Sequence, residues 1–273
     1  MTRIAVVGGG RIGEALLAGL LESGRASKDL VVVEAVPARA ELLGERFGVR
    51  VTDAVADAVA GADLVVIAVK PQDVDSVVTE LAKADIGEGE QETVLVSLAA
   101  GVPTSRFEAK LPAGFPVVRV MPNTPMLVGQ GMSAIAPGRY ARKEQLALVT
   151  EVLESVGKVV TVSESQLDAV TAVSGSGPAY FFLVVEAMID AAVSVGLSRD
   201  VATQLVTQTF LGSAALLEES GQSAVELRAA VTSPAGTTAA AVRELERGAV
   251  RSAFHEALHA AKTRSAELAG AAD

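Results

Sequence analysis

Three glycines set between a strand and a helix constrain this chain more than any other feature. Gly8, Gly10 and Gly13 follow the apolar run Ile4 to Val7 and open an Ala- and Leu-rich helical pattern over Ile12 to Ser23. In the order Gly-x-Gly-x-x-Gly, the first glycine permits a tight turn. The second lets a pyrophosphate approach the backbone, and the third lets the helix pack against the strand. Amides at the helix N-terminus, at the positive end of the helix dipole, then face the phosphates. Gly9, Arg11 and Ile12 belong to the same loop. A turn of glycines beside a surface glutamate is the plain structural alternative, and the strand before and helix after argue against it.

The second apolar run, Leu30 to Val33, ends at Glu34, about 20 residues past the loop. An acidic side chain there hydrogen-bonds a ribose 2′-hydroxyl and repels a 2′-phosphate, which favours NADH. Arg39, one turn into the next helix, is placed to reach a 2′-phosphate, so NADPH stays open.

Further along, strand-like and helical patterns alternate. Apolar runs occur at Leu64 to Val69, Thr93 to Leu98, Val117 to Val120 and Lys158 to Val162, and Pro37 to Phe47 repeats the helical pattern. Alternation of this kind predicts an α/β fold with a mostly parallel sheet. Past Ser163 the strand signals stop, and helices broken by Gly and Pro follow. With 273 residues the chain exceeds the usual single domain of about 100–150 residues. Two domains are expected: a Rossmann dinucleotide-binding domain over 1–162 and an all-α domain over 163–273. The acidic segment Asp85 to Glu92 reads as a solvated loop.

Composition narrows the function. Half the residues are hydrophobic and 3% aromatic, so the core is built from Ala, Val, Leu and Ile. A net charge of -10, scattered along the chain, argues against a nucleic-acid partner, whose phosphates need a basic surface. Cysteine is absent, which excludes disulfides, thiolate metal sites and a cysteine nucleophile. No basic, cleavable segment precedes the first strand, so a cytoplasmic enzyme is expected. The apolar stretch Ala179 to Leu197 approaches a membrane span in length, but Glu186 and Asp190 interrupt it on one helical face. It is read as a helix buried on most sides, with a subunit interface as one way to bury it, and no membrane partner is expected.

His255-Glu-Ala-Leu-His259 matches the His-Glu-x-x-His pattern of zinc metalloproteases. A third ligand is needed and only Glu267 lies nearby in sequence, so no metal is assigned.

Lys70 is followed by Pro71, which restricts it to extended geometry at the carboxyl end of its strand, where Rossmann ligands bind. A cofactor-side role is favoured over a solvated charge. The Asn123 amide suits either the cofactor or loop backbone. Ser233 to Thr237 supply small, turn-forming residues just before the helical stretch Thr238 to Glu246. A carboxylate placed there meets free amides; an ordinary N-cap fits the local pattern equally well.

Five segments bear on the family: Ala68-Val-Lys-Pro71, Ala99-Ala-Gly101, Met121-Pro-Asn-Thr-Pro125, Ala172-Val-Ser-Gly-Ser-Gly-Pro-Ala-Tyr180 and Val231-Thr-Ser-Pro-Ala-Gly-Thr-Thr238. In this order they resemble the pyrroline-5-carboxylate reductase family over nearly the whole chain. The resemblance implies reduction of 1-pyrroline-5-carboxylate to L-proline with NADPH or NADH, by a Rossmann domain followed by a helical dimerisation domain. The active site is then expected between the two and touching the partner subunit, in a homodimer that members often build into pentamers of dimers, a decamer. It also implies that Val69, Lys70, Pro71, Ala99, Ala100, Asn123, Ser174 and Ser176 serve the cofactor, the two serines on the nicotinamide side. Ser233, Ala235, Gly236, Thr237 and Thr238 would bind substrate, with Thr238 as the catalytic hydrogen-bond partner of the ring nitrogen. Ala235 departs from the pattern, which most often has a glycine there.

Missing machinery points the same way. Four residues after Tyr140 and Tyr180, the two tyrosines, come Glu144 and Val184, so the Tyr-x-x-x-Lys pair of short-chain dehydrogenases is absent. No lysine lies between Lys158 and Lys262, which removes the base of the β-hydroxyacid dehydrogenases. An imine protonated in solution needs no strong acid, so aligning nicotinamide with the imine carbon is the main task. Two alternatives stay open at this point: a non-catalytic dinucleotide-binding protein, and a reductase of the six-membered imine.

Overall fold

The computed structural model describes residues 2–84, 86 and 93–270. The acidic segment Asp85 to Glu92 therefore falls, apart from Ile86, outside the described residues. Eight strands form one sheet: β1 Ile4–Val7, β2 Leu30–Val33, β3 Arg50–Thr52, β4 Leu64–Ile67, β5 Val94–Ser97, β6 Val117–Met121, β7 Gly131–Pro137 and β8 Gly157–Thr161. Their order is β3-β2-β1-β4-β5-β6-β7-β8. Among the described residues β6 and β7 are the one antiparallel pair.

The six expected strands are present, and two more join them. β3 is three residues at the sheet edge, with Arg50 exposed. β7 reads Gly-Met-Ser-Ala-Ile-Ala-Pro, a composition poor in the branched residues that mark strands.

Period-2 alternation divides the core between the two sheet faces. Ile4, Val6, Leu30, Val32, Leu64 and Val66 pack on one side against Leu16, Leu17 and Leu20 of the helix Arg11–Glu22. Ala5, Val7, Val31, Val65 and Ile67 pack on the other, where Phe107 is fully buried. Each fully buried Val or Leu stabilises the fold by roughly 1.5–3 kcal/mol, so strands apolar on both faces are fixed between two helical layers.

Two compact units result, Met1–Ser176 with Ala261–Asp273, and Gly177–Ala260. The second unit holds the helices Gly177–Ser194, Arg199–Glu219, Ala224–Ala230 and Thr237–Arg247, and most of its apolar surface is uncovered. Ala202 and Val206 are its buried hydrophobic residues, whereas Phe181, Phe182 and Leu183 are 64%, 68% and 65% exposed.

Within the single chain the helix over Ala179 to Leu197 is therefore largely uncovered, which leaves a subunit interface as the way to bury it. Residues Glu164–Ser194 pass the length and hydropathy test for a membrane span, with 11% of the apolar window buried. Hydropathy measures side-chain chemistry and not what covers it, so a helix of a core and a helix of an interface read alike.

Candidate functional site

The glycine loop fits a dinucleotide backbone. Gly8 has φ +108°, and a Cβ there would sit 2.8 Å from the carbonyl carbon and oxygen of Ala68. At Gly13 it would lie 2.1 Å from the Gly8 carbonyl oxygen, so the helix meets the turn this closely only because Gly13 lacks a side chain. Gly9 is buried, and its Cβ would meet Leu43 Cδ1 at 2.4 Å. Gly10 differs: nothing lies within 4 Å of its Cβ position. The open side of the loop is therefore at the second glycine, where a pyrophosphate needs room. No side chain caps the helix at Gly10, and its first backbone bond runs from the Glu14 amide to the Gly10 carbonyl at 2.8 Å. The amides of Arg11, Ile12 and Gly13 precede that bond and so have no partner within the helix, which leaves them available to an anion.

Glu34 sits one residue past β2 and braces this loop. Its Oε2 accepts the Gly9 amide at 3.1 Å, and its Oε1 accepts the Val36 amide at 2.9 Å. The Nε of Arg39 donates to the Gly9 carbonyl oxygen at 2.9 Å, and its guanidinium pairs with Glu14, which also pairs with Arg46. The Gly9 peptide is thus held from both sides. Sequence reasoning missed Glu14, whose one signal is an acidic residue in the first turn of the helix.

Val69, Lys70 and Pro71 follow β4. Lys70 is exposed and extended, with φ -68° and ψ 152°, before the 3₁₀ turn Pro71–Asp73, as Pro71 requires. Val69 Cγ1 approaches the Gly8 Cβ position at 3.0 Å. After β5, Ala99 is buried, Ala100 is exposed and Gly101 turns the chain with φ +77°.

Asn123 is engaged at both ends of its amide. Its Nδ2 donates to the Ser174 carbonyl at 3.1 Å, and its Oδ1 accepts the Met132 amide at 2.8 Å. Both bonds go to backbone, one of its two candidate partners. Ser174 belongs to a π-helical turn, Thr171–Gly175, a rare geometry frequently found at functional sites. Its hydroxyl donates to the Val170 carbonyl at 3.1 Å, and the Ser176 amide donates to the Thr171 carbonyl at 2.8 Å.

Pro71, Ala100, Gly101, Thr171 and Ser176 line part of a cavity of about 370 Å³. It lies outside the carboxyl ends of β4 and β5, beside the point between β1 and β4 where strand order reverses. Open α/β sheets bind their ligands at this point.

Within the second unit, Ser233 to Thr238 form a turn and a helix start. Gly236 donates its amide to the Ser233 carbonyl at 3.0 Å and occupies the N-cap of Thr237–Arg247, with no side-chain cap. The helix begins one residue earlier than the sequence stretch Thr238 to Glu246. Its first backbone bond, Ala240 to Gly236 at 3.1 Å, leaves the amides of Thr237, Thr238 and Ala239 without a helical partner. Thr238 is half-buried in this first turn. Ala235 has φ 58°, the left-handed conformation that a glycine adopts freely.

His255 and His259 lie exposed on the terminal helix Val250–Gly270. No group of three or more His, Asp or Glu residues placed to hold a metal ion occurs among the described residues.

Comparison with known proteins places this arrangement. Residues 164–268 match the family described as pyrroline-5-carboxylate reductase dimerisation, and residues 3–101 the family described as NADP oxidoreductase coenzyme F420-dependent. The chain is 55% identical over 287 residues to the pyrroline-5-carboxylate reductase of Mycobacterium tuberculosis, covering 98% of this chain and 97% of that protein. The chain belongs to the pyrroline-5-carboxylate reductase family. The structure of a pyrroline-5-carboxylate reductase from Coxiella burnetii superposes with a TM-score of 0.93 at 38% identity, over 98% of both chains. Pyrroline carboxylate reductase of Plasmodium falciparum, solved with NADP bound, gives a TM-score of 0.84 at 27% identity, again over 98% of both. Membership in the pyrroline-5-carboxylate reductase family also accounts for the uncovered apolar helices, which lie within the matched dimerisation segment.

Proposed function

We infer that this protein reduces 1-pyrroline-5-carboxylate to L-proline, the last step of proline biosynthesis. The observation that carries this reading is 55% identity to a pyrroline-5-carboxylate reductase across 98% of the chain. NADH or NADPH, when bound, supplies the hydride.

The loop Gly8 to Gly13 holds the pyrophosphate through backbone amides, and Glu34 addresses the adenosine ribose. Val69, Lys70, Pro71, Ala99 and Ala100 form the strand-end shelf beneath the nicotinamide half. Asn123 acts on the nicotinamide side through the backbone, by fixing the π-turn that carries Ser174 and leads to Ser176. In the helical unit, the unpaired amides after Gly236 receive the substrate carboxylate within the turn Ser233, Ala235, Gly236 and Thr237. The Thr238 hydroxyl hydrogen-bonds the ring nitrogen. An iminium substrate arrives already activated, so these contacts act by alignment.

The segments 1–162 and 163–273 are proposed as the dinucleotide-binding and the dimerising, substrate-binding domains of a cytoplasmic homodimer able to assemble into a decamer. The deciding experiment follows the absorbance of NADH and of NADPH with 1-pyrroline-5-carboxylate. Oxidation of either with formation of proline is expected; oxidation of neither overturns the reading.

A further inference from the structure

The cavity at the carboxyl ends of β4 and β5 has a further wall that no motif marks. Ala261, Arg264, Ser265 and Leu268 line it, at positions i, i+3, i+4 and i+7, which share one face of the terminal helix Val250–Gly270. These residues belong to the same compact unit as the glycine loop.

Two contacts set this wall in place. Ser265 Oγ donates to Asp168 Oδ1 at 2.8 Å, tying the helix to the segment that leads directly into the π-turn. On the other side, a Cβ built on Gly101 would lie 3.8 Å from the Ala269 backbone, so the β5 loop and the helix meet at ordinary contact distance.

We propose that the end of the terminal helix is a wall of the nicotinamide subsite, and that Ala261 is small because the nicotinamide ring occupies the space before it. This rests on the reading above that the nicotinamide half lies at the ends of β4 and β5. The chemistry of the lining suits a flat aromatic amide: Ala100, Gly101 and Ala261 leave width, and Pro71 and Leu268 supply apolar contact. Thr171 and Ser265 supply hydroxyl oxygens as acceptors, because their protons go to the Leu167 carbonyl and Asp168. Ser176 supplies a further hydroxyl, and the Arg264 charge is paired with Glu267. Helices whose apolar stripe faces a ligand read in sequence like surface helices rich in alanine. That is why these residues escaped notice.

The test separates the two halves of the cofactor. Dissociation constants for NADH, NADPH and ADP-ribose, which lacks nicotinamide, are measured by calorimetry on the full-length protein and on Ala261→Leu and Ser265→Ala. Added volume at Ala261 is expected to weaken NADH and NADPH about tenfold and leave ADP-ribose within about twofold. Ser265→Ala, which frees the helix end without filling the cavity, is expected to weaken both reduced cofactors in the same selective manner by a smaller factor. Unchanged NADH affinity in Ala261→Leu overturns the proposal, as does an equal loss for ADP-ribose. If ADP-ribose does not bind the wild-type protein, the dinucleotide site itself fails and this inference falls with it.

Discussion

The Glu34 carboxylate accepts the Gly9 amide at 3.1 Å, so the acidic residue proposed to address the adenosine ribose also braces the glycine loop. Its second oxygen takes the Val36 amide, and the nearby Arg39 charge is shared with Glu14. Both amides and the guanidinium that would attract a 2′-phosphate are therefore already engaged. Glu34→Gln removes the negative charge while keeping an acceptor for Gly9. The ratio of kcat/KM for NADPH to that for NADH is expected to rise roughly tenfold, the effect of relieving ~1.4 kcal/mol of charge repulsion at a partly exposed site. Steady-state kinetics with both cofactors checks this, and an unchanged ratio removes Glu34 from cofactor selection.

Asn123 spans two backbone groups, the Ser174 carbonyl and the Met132 amide. Asn123→Asp preserves shape and the acceptor for Met132 but replaces the donor with a repelling oxygen. The loss of one partly buried hydrogen bond costs about 1–3 kcal/mol in stability. Because the broken bond holds the π-turn, kcat is expected to fall about tenfold as well. Thermal unfolding and single-turnover rates together decide: a lower Tm with an intact rate assigns Asn123 to stability alone.

Ala235 adopts φ 58°, a left-handed conformation that suits glycine better than alanine. Left-handed backbone costs an alanine about 1 kcal/mol, partly offset by the freedom a glycine loses on folding. Ala235→Gly is expected to raise stability by several tenths of a kcal/mol to about 1 kcal/mol, and Ala235→Val to lower it, since branching at Cβ crowds that conformation further. Chemical denaturation of both variants measures the difference. Equal stabilities indicate that the turn relaxes out of the left-handed region.

What could be read in advance follows from how local its cause is. The turn at Gly8, the extended Lys70 before Pro71 and the helix Pro37–Phe47 depend on neighbours in the chain, and each lies where the sequence places it. The bond from Glu34 to Gly9 joins residues 25 apart, and the bond from Asn123 reaches Ser174, 51 residues away. No local pattern carries either. β7 was hidden by its Gly, Ser and Pro, and its place in the sheet comes from pairing with β6 and β8. The terminal-helix wall was hidden because Ala261, Ser265 and Leu268 gain meaning only from the loop that ends β5.

Thr238 lies in the first turn of Thr237–Arg247, next to amides that have no helical partner. Thr238→Ala deletes the hydroxyl and leaves those amides in place. A contact to the ring nitrogen that orients the imine is expected to show as a fall in kcat of about tenfold or more, with cofactor affinity unchanged and a smaller rise in the substrate KM. Thr238→Ser is expected to recover most of the rate. If kcat and cofactor affinity fall together, Thr238 supports the fold of the turn and not the chemistry.

Phe182 is 68% exposed on Gly177–Ser194, with Phe181 and Leu183 beside it nearly as open. A large exposed apolar patch marks an interaction surface, and this one lies within the segment matched by the dimerisation family, so a second subunit is its expected cover. In a two-fold dimer each residue counts twice, once from either copy. Burying a phenylalanine contributes roughly 1.5–3 kcal/mol, so replacing it by a charge in both copies weakens association on the order of a thousandfold. Phe182→Glu is therefore expected to sediment as a smaller species at micromolar concentration, with the dinucleotide unit still binding ADP-ribose and reductase activity lost. Sedimentation velocity alongside calorimetry separates these effects. If the oligomer persists and activity is retained, the subunits meet through another face.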